Sequence, residues 1–185
     1  MKQKVKDIMV PISDYATVPE DANLMETIRS LENQTKKFGS GPYRHRAVLV
    51  VDQKNQVIGK ASQVDIMRAL EPNYQRIGTD LHLSRFGFTR DFMKAILKQY
   101  ELWERSLETM CDLARRIKVK EVMYTPADHQ KVRDDDSLFM AMHQIVMGQH
   151  QSLLVTKGHS KTIIGILRAT DVFNALFDAM ENIEA

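Results

Sequence analysis

Apolar residues along the chain form short unbroken runs that alternate with rows at helical spacing. Two runs, Ala47–Val51 and Ser152–Val155, are aliphatic or β-branched and of strand length, which predicts strands buried on both faces. Polar turn residues and a second apolar segment follow each run, so each strand is predicted to open a hairpin. A series of apolar residues at helical spacing lies on either side of each hairpin. The pattern therefore predicts two units, each ordered strand, helix, strand, strand, helix.

The first helix of each unit is predicted from apolar residues three or four positions apart. The rows are Leu24, Ile28 and Leu31 in the first unit and Leu138, Met142 and Ile145 in the second. Such a row gives a helix one apolar face with which to cover a sheet. Asp21 and Asp135 precede the rows and are predicted N-caps, because an aspartate accepts hydrogen bonds from the free amides of a first turn. The second helix is predicted to begin near Ser62 in one unit and near Arg168 in the other.

A third helical pattern lies between the two units. No Gly or Pro interrupts residues 89–125, and apolar residues recur there at helical spacing. The spacing predicts one amphipathic helix of roughly 25 residues, about 40 Å long at about 1.5 Å per residue. Thr89 is its predicted cap. Trp103 and Leu107 on this helix either pack on the protein's own surface or form an interface with a second copy or a partner protein.

The two units repeat in sequence as well as in pattern. The opening Val5-Lys6-Asp7-Ile8-Met9 returns 114 positions later as Val119-Lys120-Glu121-Val122-Met123. A glycine with an aspartate six positions later occurs at the end of both units. These pairs are Gly59 with Asp65 and Gly165 with Asp171. Self-similarity of this kind indicates two copies of one structural unit.

Composition and charge narrow the functional class. Of 185 residues, 43% are hydrophobic and 27% charged, which is typical of a globular protein. The 26 basic and 24 acidic residues are spread along the chain, so charge gives no argument for a nucleic-acid partner. No apolar run approaches the roughly 20 residues of a membrane span, and none resembles a signal peptide. We therefore expect a cytoplasmic protein with no membrane partner, in which the single Cys111 forms no internal disulfide.

The repeated features resemble the CBS-domain family, whose tandem repeats pair into a Bateman module. The resemblance rests on the two openings, the two aliphatic strands and the Gly-x-x-(Ser/Thr)-x-x-Asp endings, which come in the same order in both copies. The second copy departs from the last motif, since Arg168 stands at its Ser/Thr position. It implies an α/β (α+β) fold in which two β-α-β-β-α repeats pack through their sheets about a pseudo-two-fold axis. The repeats are predicted at residues 1–70 and 117–185, with a helical segment at 71–116 inserted between them.

The resemblance also implies two clefts between the repeats, each able to hold an adenine nucleotide such as AMP, ADP or ATP. In the family, residues before the middle strand of one repeat face the Gly-to-Asp motif of the other. One predicted cleft joins His45, Arg46 and Ala47 to Ile166, Arg168 and Asp171. The other joins His150, Gln151 and Ser152 to Ser62 and Asp65. Lys60 departs from the family pattern, since its position is usually apolar.

The chemistry of these residues suits a nucleotide, although a structural role explains some of them as well. An ionised aspartate accepts from both ribose hydroxyls, and the guanidinium groups of Arg46 and Arg168 present forked donors to a phosphate. A helix N-terminus adds free amides. Ser62 and Asp65, however, also have the spacing of a capping box, which requires no ligand.

The sequence therefore predicts a regulatory ligand-binding module that senses an adenine nucleotide and forms a homodimer or meets an unidentified protein partner. The alternative is a ligand-free scaffold that uses the inserted helix for dimerisation or docking. No enzyme is predicted, because no nucleophile lies beside a base and no Gly-rich phosphate loop occurs. The six histidines are scattered without metal-ligand spacing, so neither a metal nor a required cofactor is expected.

Overall fold

Two small sheets flanked by helices make up the computed structural model, which describes residues 3–37, 46–77 and 89–184. The first half contains β1 (Val10–Pro11), β2 (Thr17–Pro19), α1 (Leu24–Lys37), β3 (Ala47–Val51), β4 (Val57–Ser62) and α2 (Gln63–Leu70). The middle segment contains α3 (Arg90–Gln99) and α4 (Leu107–Arg116). The second half contains α5 (Val119–Val122), β5 (Lys131–Arg133), α6 (Leu138–Gly148), β6 (Ser152–Thr156), β7 (Ile163–Arg168) and α7 (Ala169–Glu184).

The two halves share the same arrangement of three strands, to which β1 adds a fourth in the second sheet. The sheet orders are β2-β3-β4 and β1-β7-β6-β5. Strand β2 runs parallel to β3, as β5 does to β6, and the hairpins β3–β4 and β6–β7 are antiparallel. Each hairpin even has a register shift at the same place, after Val50 and after Val155. The predicted order of strand, helix, strand, strand, helix is confirmed in both halves.

The central strands β3 and β6 are buried on both faces, as their unbroken apolar runs predict. Val48, Leu49 and Val50 are fully buried, and the equivalent strand β6 is buried to the same extent. One face of each strand packs under its own helices, while the other meets the opposite sheet. Leu49 and Leu154 lie in one cluster between the two sheets. The repeats therefore pack through their sheets, as the family resemblance implies.

The opening segment of each copy packs against the opposite half. The amide of Val5 donates to the carbonyl of Asp136 (3.0 Å), and the amide of Val119 donates to the carbonyl of Ala22 (2.8 Å). Because Val5 and Val119 are equivalent in the repeat, these contacts are related by the pseudo-two-fold axis. Both valines are fully buried, each in the core of the other half. Strand β1 accordingly joins the sheet of the second half. The two sequence copies are thus interlocked in space.

The repeated glycines are required by this exchange. A Cβ atom on Gly59 would lie 2.5 Å from the sulfur of Met123, and one on Gly165 would lie 2.7 Å from the carbonyl oxygen of Val10. Both obstacles belong to the opening segment of the opposite copy. At Gly165 only glycine allows the backbone of that segment to approach this closely, whereas at Gly59 the nearest atom belongs to a flexible side chain.

The single long helix predicted from Thr89 is wrong, because the chain turns between α3 and α4. Glu101 and Trp103 have φ values of 51° and 63°, in the left-handed region that ends a helix. The amide of Trp103 donates to Glu71 Oε2 (2.7 Å), whose side chain is fully buried. The indole N–H of Trp103 donates to the hydroxyl of Tyr74 (3.1 Å). Thr89 does cap α3, as predicted, by accepting from the amide of Phe92 (3.2 Å).

The predicted aspartate caps are also wrong, since the caps lie two residues later. The amide of Glu26 donates to Asn23 Oδ1 (2.9 Å), and the amide of Met140 donates to Ser137 Oγ (3.2 Å). In each half the residues between the predicted and the observed cap connect the preceding strand, β2 or β5, to the start of the helix. Asp21 instead binds Lys120 Nζ at 2.6 Å, in the exchanged segment.

Candidate functional site

A pocket of about 480 Å³ lies between the two halves, where β4 and β7 lead into the helices that follow them. Six of the predicted site residues line it: Arg46, Ala47, Ser62, Gln151, Ser152 and Arg168. Three of these were predicted in one cleft and three in the other. The structure therefore brings parts of both predicted sets together around a single space across the pseudo-two-fold axis.

The other predicted residues lie elsewhere. Ile166 is fully buried in the cluster between the sheets. Asp171 lines a shallower pocket of about 370 Å³ along α7. His150 stacks on His129 with ring centroids 5.7 Å apart, and burial, followed by the charge of His129, lowers the pKa of His150. Asp65 is held by the α2 cap. His45 lies outside the described residues.

Ser62 and Asp65 form the capping box at the start of α2. The amide of Ser62 donates to Asp65 Oδ2 (2.9 Å), and the hydroxyl of Ser62 donates to the same oxygen (2.5 Å). The amide of Asp65 donates in return to Ser62 Oγ (3.3 Å). The structural role proposed from the spacing of these two residues is therefore confirmed.

In the second copy an ion pair takes the place of this capping box at the start of α7. Arg168, which stands where the first copy has Ser62, donates to Asp171 through its amide (3.2 Å) and through Nε (2.7 Å) and Nη2 (2.5 Å). Both side chains are mostly buried, with 16% and 12% exposed. The Arg168 guanidinium is therefore already paired with a carboxylate at the edge of the pocket.

Lys60 supplies a further cation to the pocket. Its ammonium donates to Ser152 Oγ across the interface of the two halves (3.0 Å). Burial lowers the pKa of Lys60, and the nearby Asp65 carboxylate partly offsets that effect. Lys60 is the repeat equivalent of Ile166, so a polar group replaces a buried apolar one at this position. The sequence marked Lys60 as unusual but gave no sign that it reaches the other repeat.

Tyr15 also lines the pocket and was not predicted from the sequence. Its side chain is buried, which raises its pKa to about 12, and the charges of Arg168 and Asp171 act on it as well. The phenol therefore stays neutral at physiological pH. The spacing of residues in the sequence does not predict that Tyr15 lines a pocket. Tyr15 follows a single helical turn, and the path of that turn depends on contacts with the opposite half.

The pocket carries an excess of positive charge. Arg46, Lys60 and Arg168 line it, and none of its described lining residues is acidic. The Arg46 side chain is exposed, and its guanidinium has no hydrogen bond to the described part of the chain. Among the described residues no group of three His, Cys, Asp or Glu side chains is placed to hold a metal ion. The arrangement favours an anionic organic ligand.

Comparison with known proteins assigns the fold. Residues 5–72 match the profile of the CBS domain. A CBS domain-containing protein of unknown function from Bacillus anthracis strain Ames Ancestor is 17% identical, with a TM-score of 0.62 over 96% of this chain and 94% of that chain. No curated protein matches the chain.

Two other similar structures contain nucleotides. CBSX2 in complex with AMP is 18% identical, with a TM-score of 0.58 over 96% of this chain and 98% of that chain. The CBS domain of a bacterial CNNM/CorC family Mg²⁺ transporter in complex with ATP is 12% identical, with a TM-score of 0.58 over 93% and 85% of the two chains. At these identities the likeness concerns the fold.

The fold and the interlocked copies define a module of two pseudo-symmetric α/β units. Residues 5–72 match the CBS domain, and the chain as a whole has the fold of solved CBS-domain proteins. None of the helices in the described ranges combines the length and the apolar character that crossing a bilayer requires.

Proposed function

We propose that this protein senses an adenine nucleotide in the pocket between its two halves. The observation that carries the proposal is the basic lining of that pocket, by Arg46, Lys60 and Arg168 with no acidic residue among the described lining. Its volume of about 480 Å³ falls within the range of roughly 300–1,000 Å³ typical of small-molecule sites. The AMP and ATP complexes of proteins with the same fold support the choice of ligand.

Arg46 and Lys60 are the proposed phosphate ligands. Arg46 offers a guanidinium with no hydrogen bond in the described structure, and an arginine fork suits phosphate oxygens. Lys60 offers an ammonium that, among the described residues, donates to the Ser152 hydroxyl. A phosphate is a stronger acceptor than a serine, so ligand binding favours release of Ser152. Binding would thereby remove one link between the two halves.

Asp65 and Asp171 stay the proposed ribose acceptors beside the pocket: neither carboxylate is among its lining residues, and both already have partners. A carboxylate has about four acceptor positions, so capping and ribose binding are compatible. Asp171→Ala is nevertheless a poor test of binding, because it leaves Arg168 mostly buried without its partner. Breaking a pair of this kind costs about 3–5 kcal/mol. A folding defect in that variant would say nothing about the ligand.

Arg46→Ala gives a sharper test, since the Arg46 side chain is exposed and its loss leaves no group unpaired. We expect the wild-type protein to be stabilised by AMP, ADP or ATP, by about 2.7 kcal/mol at 100 times the dissociation constant. Arg46→Ala should lose at least tenfold in affinity for the phosphorylated ligands and little for adenosine. Isothermal titration calorimetry and thermal melting measure both, with exposed Arg29→Ala as the matched control.

A ligand-free scaffold is the second candidate. The observation in its favour is that Ser62, Lys60 and Arg168 already have partners in the structure, so their polar groups are satisfied without a nucleotide. Folded wild-type protein that shows no melting shift with any adenosine compound would support the scaffold and contradict the sensor. Neither candidate includes a catalytic step. The homodimer predicted from the inter-repeat segment is proposed to involve α3 instead of one long helix.

A further inference from the structure

Lys60 places an amine on the wall of a cavity where the fold does not require one. Its side chain is partly buried, lines the pocket between the two halves, and has Nζ 3.0 Å from Ser152 Oγ of the other half. The repeat equivalent in the second copy is Ile166, which is fully buried. Since an apolar side chain fills this position in one copy, packing alone does not explain the amine in the other.

The surroundings of Lys60 favour a nucleophilic amine. Burial lowers its pKa, and the Asp65 carboxylate partly offsets that effect. A lowered pKa increases the share of uncharged amine, and the uncharged amine is the form that attacks a carbonyl carbon. Lys120 is the contrast within this chain, because its hydrogen bond to Asp21 and the charge of that carboxylate raise its pKa.

Ser152 holds the amine in position. The hydroxyl oxygen of Ser152 accepts one N–H of Lys60, which fixes the nitrogen at the cavity wall and does not use the lone pair of an uncharged amine. A nitrogen that attacks a carbonyl becomes positively charged, and a hydrogen bond from a charged donor is stronger than one from a neutral donor. Ser152 is therefore a positioning residue for attack by Lys60.

The arginines of the pocket select an electrophile that carries a phosphate. Arg46 and Arg168 line the same cavity, and a guanidinium binds phosphate oxygens through parallel N–H groups. Arg168 is already paired with Asp171, whereas the Arg46 side chain is exposed, so Arg46 is the better placed to receive a phosphate. In an acyl phosphate the phosphate is also the leaving group. Arg46 would then stabilise the negative charge that develops as the phosphate departs.

We propose that Lys60 is an acylation site that reacts with acyl phosphates bound in the pocket between the halves. The lone pair of Lys60 Nζ attacks the carbonyl carbon and forms a C–N bond. The C–O bond to the phosphate breaks, the phosphate leaves with the electron pair, and the nitrogen loses one proton to solvent. The products are an Nε-acyl lysine and inorganic phosphate. Each protein molecule reacts once, without turnover.

Acylation changes the charge of the pocket. It converts the ammonium of Lys60 into a neutral amide, so the basic residues of the described lining fall from Arg46, Lys60 and Arg168 to the two arginines. The amide keeps one N–H for Ser152. This consequence, unlike the acylation itself, rests on the proposed function: acylated protein should bind phosphorylated nucleotides about tenfold more weakly, because a charged donor is lost.

Timed incubation of the full chain with acetyl phosphate tests the proposal, with peptide mass spectrometry measuring acetylation at each lysine. We expect Lys60 to be acetylated at least about tenfold faster than the exposed Lys54, which is the matched control. Arg46→Ala should slow the reaction of Lys60 about tenfold and leave that of Lys54 unchanged. Arg29→Ala, at another exposed arginine, should change neither. Inorganic phosphate should protect Lys60 in the wild-type protein.

An acetyl donor without a phosphate separates the reactivity of the amine from recognition of the phosphate. With N-hydroxysuccinimidyl acetate, the advantage of Lys60 over Lys54 should fall and Arg46→Ala should have no effect. The proposal is overturned if acetyl phosphate acetylates Lys60 no faster than Lys54. It is overturned as well if Arg46→Ala leaves the acetyl phosphate rate at Lys60 unchanged, since the pocket would then not recognise the phosphate.

Calorimetric titration of the same preparations with AMP and ATP distinguishes this proposal from the proposed function. Rapid, Arg46-dependent acetylation of Lys60 in a protein that binds neither nucleotide would support the acylation site and contradict the sensor. Nucleotide binding by a protein whose Lys60 reacts no faster than Lys54 would support the sensor and overturn the acylation site.

Discussion

At the scale of single residues, the two copies reach the same geometry with different chemistry. Ser62 and Asp65 close one helix start with hydroxyl and amide donors, while Arg168 and Asp171 close the other with an ion pair. The substitution makes the pocket unequal, because one end has a small hydroxyl and the other a large cation. Lys60, whose repeat equivalent in the second copy is the apolar Ile166, adds to the inequality.

Replacing Lys60 by the apolar methionine tests its role. We expect Lys60→Met to reduce the affinity for phosphorylated ligands and to raise Tm at pH 7. The burial that lowers the pKa of Lys60 disfavours the ammonium in the folded protein. That cost is complete below the lowered pKa and disappears as the pH rises toward 10.5. The gain in Tm over wild type should therefore shrink at pH 10.

Thermal melts at the two pH values measure this difference. Lys54→Met, at an exposed lysine of the β3–β4 turn, is the control and should leave Tm nearly unchanged. A loss of Tm in Lys60→Met at pH 7 would show that the hydrogen bond to Ser152 outweighs the cost of burying the charge.

Only the local part of this residue chemistry could be predicted from the sequence. The capping box of Ser62 and Asp65 lies within one helical turn, so its spacing was sufficient. The bond from Lys60 to Ser152 spans 92 positions, and no periodicity reports it. The partner of Asp171 was missed for another reason, since an arginine at the cap position is not a typical capping residue.

At the scale of elements, the strands form where the apolar runs predict them, whereas the segment between the two halves does not form the single helix that its apolar spacing predicts. Apolar residues continue at helical spacing through 100–106, yet the chain there forms a turn around Glu71. The carboxylate accepts from the amides of Trp103 (2.7 Å) and Asn73 (3.1 Å), and Arg105 Nε lies 3.7 Å away. A buried acceptor contributed by another element outweighed the helical preference of the local sequence.

Removing that acceptor should loosen the turn. Glu71→Ala leaves the two amides without their partner and is expected to destabilise the protein by about 1–3 kcal/mol, the usual cost of an unsatisfied buried donor. Hydrogen exchange should show the Trp103 amide losing protection first. Glu104→Ala, at an exposed neighbouring acid, is the control. An unchanged urea midpoint in Glu71→Ala would contradict the role given to Glu71.

At the scale of the whole molecule, the halves are joined by the exchange of their opening segments and by the contact of their sheets. The repeat predicted the pseudo-two-fold relation, because equivalent residues occupy equivalent places. The sequence repeat could not predict that each opening segment packs on the opposite half. Equivalent segments would make equivalent hydrogen bonds whether each packs on its own copy or on the other copy. The division of the chain into repeats at residues 1–70 and 117–185 therefore stays a prediction, which concerns the copies in the sequence.

The glycine contacts allow the exchange to be tested. Gly165→Ala should destabilise the protein by about 1–3 kcal/mol, since its Cβ meets the backbone carbonyl of Val10 at 2.7 Å. Gly59→Ala should cost less, because the nearest atom there belongs to the flexible Met123 side chain. Urea unfolding of both variants gives the comparison. Equal and negligible effects would show that the segments do not pass over these glycines.

The burial of Val119 under the first half sets an order of events during synthesis. A ribosome releases residues 16–61, which hold most of that half's core, well before Val119 has been made. Until then the nascent first half lacks one of its fully buried side chains and has an open groove in its place. Its final closure must wait for the start of the second copy, so a chaperone that shields exposed apolar surface has most to protect in that interval.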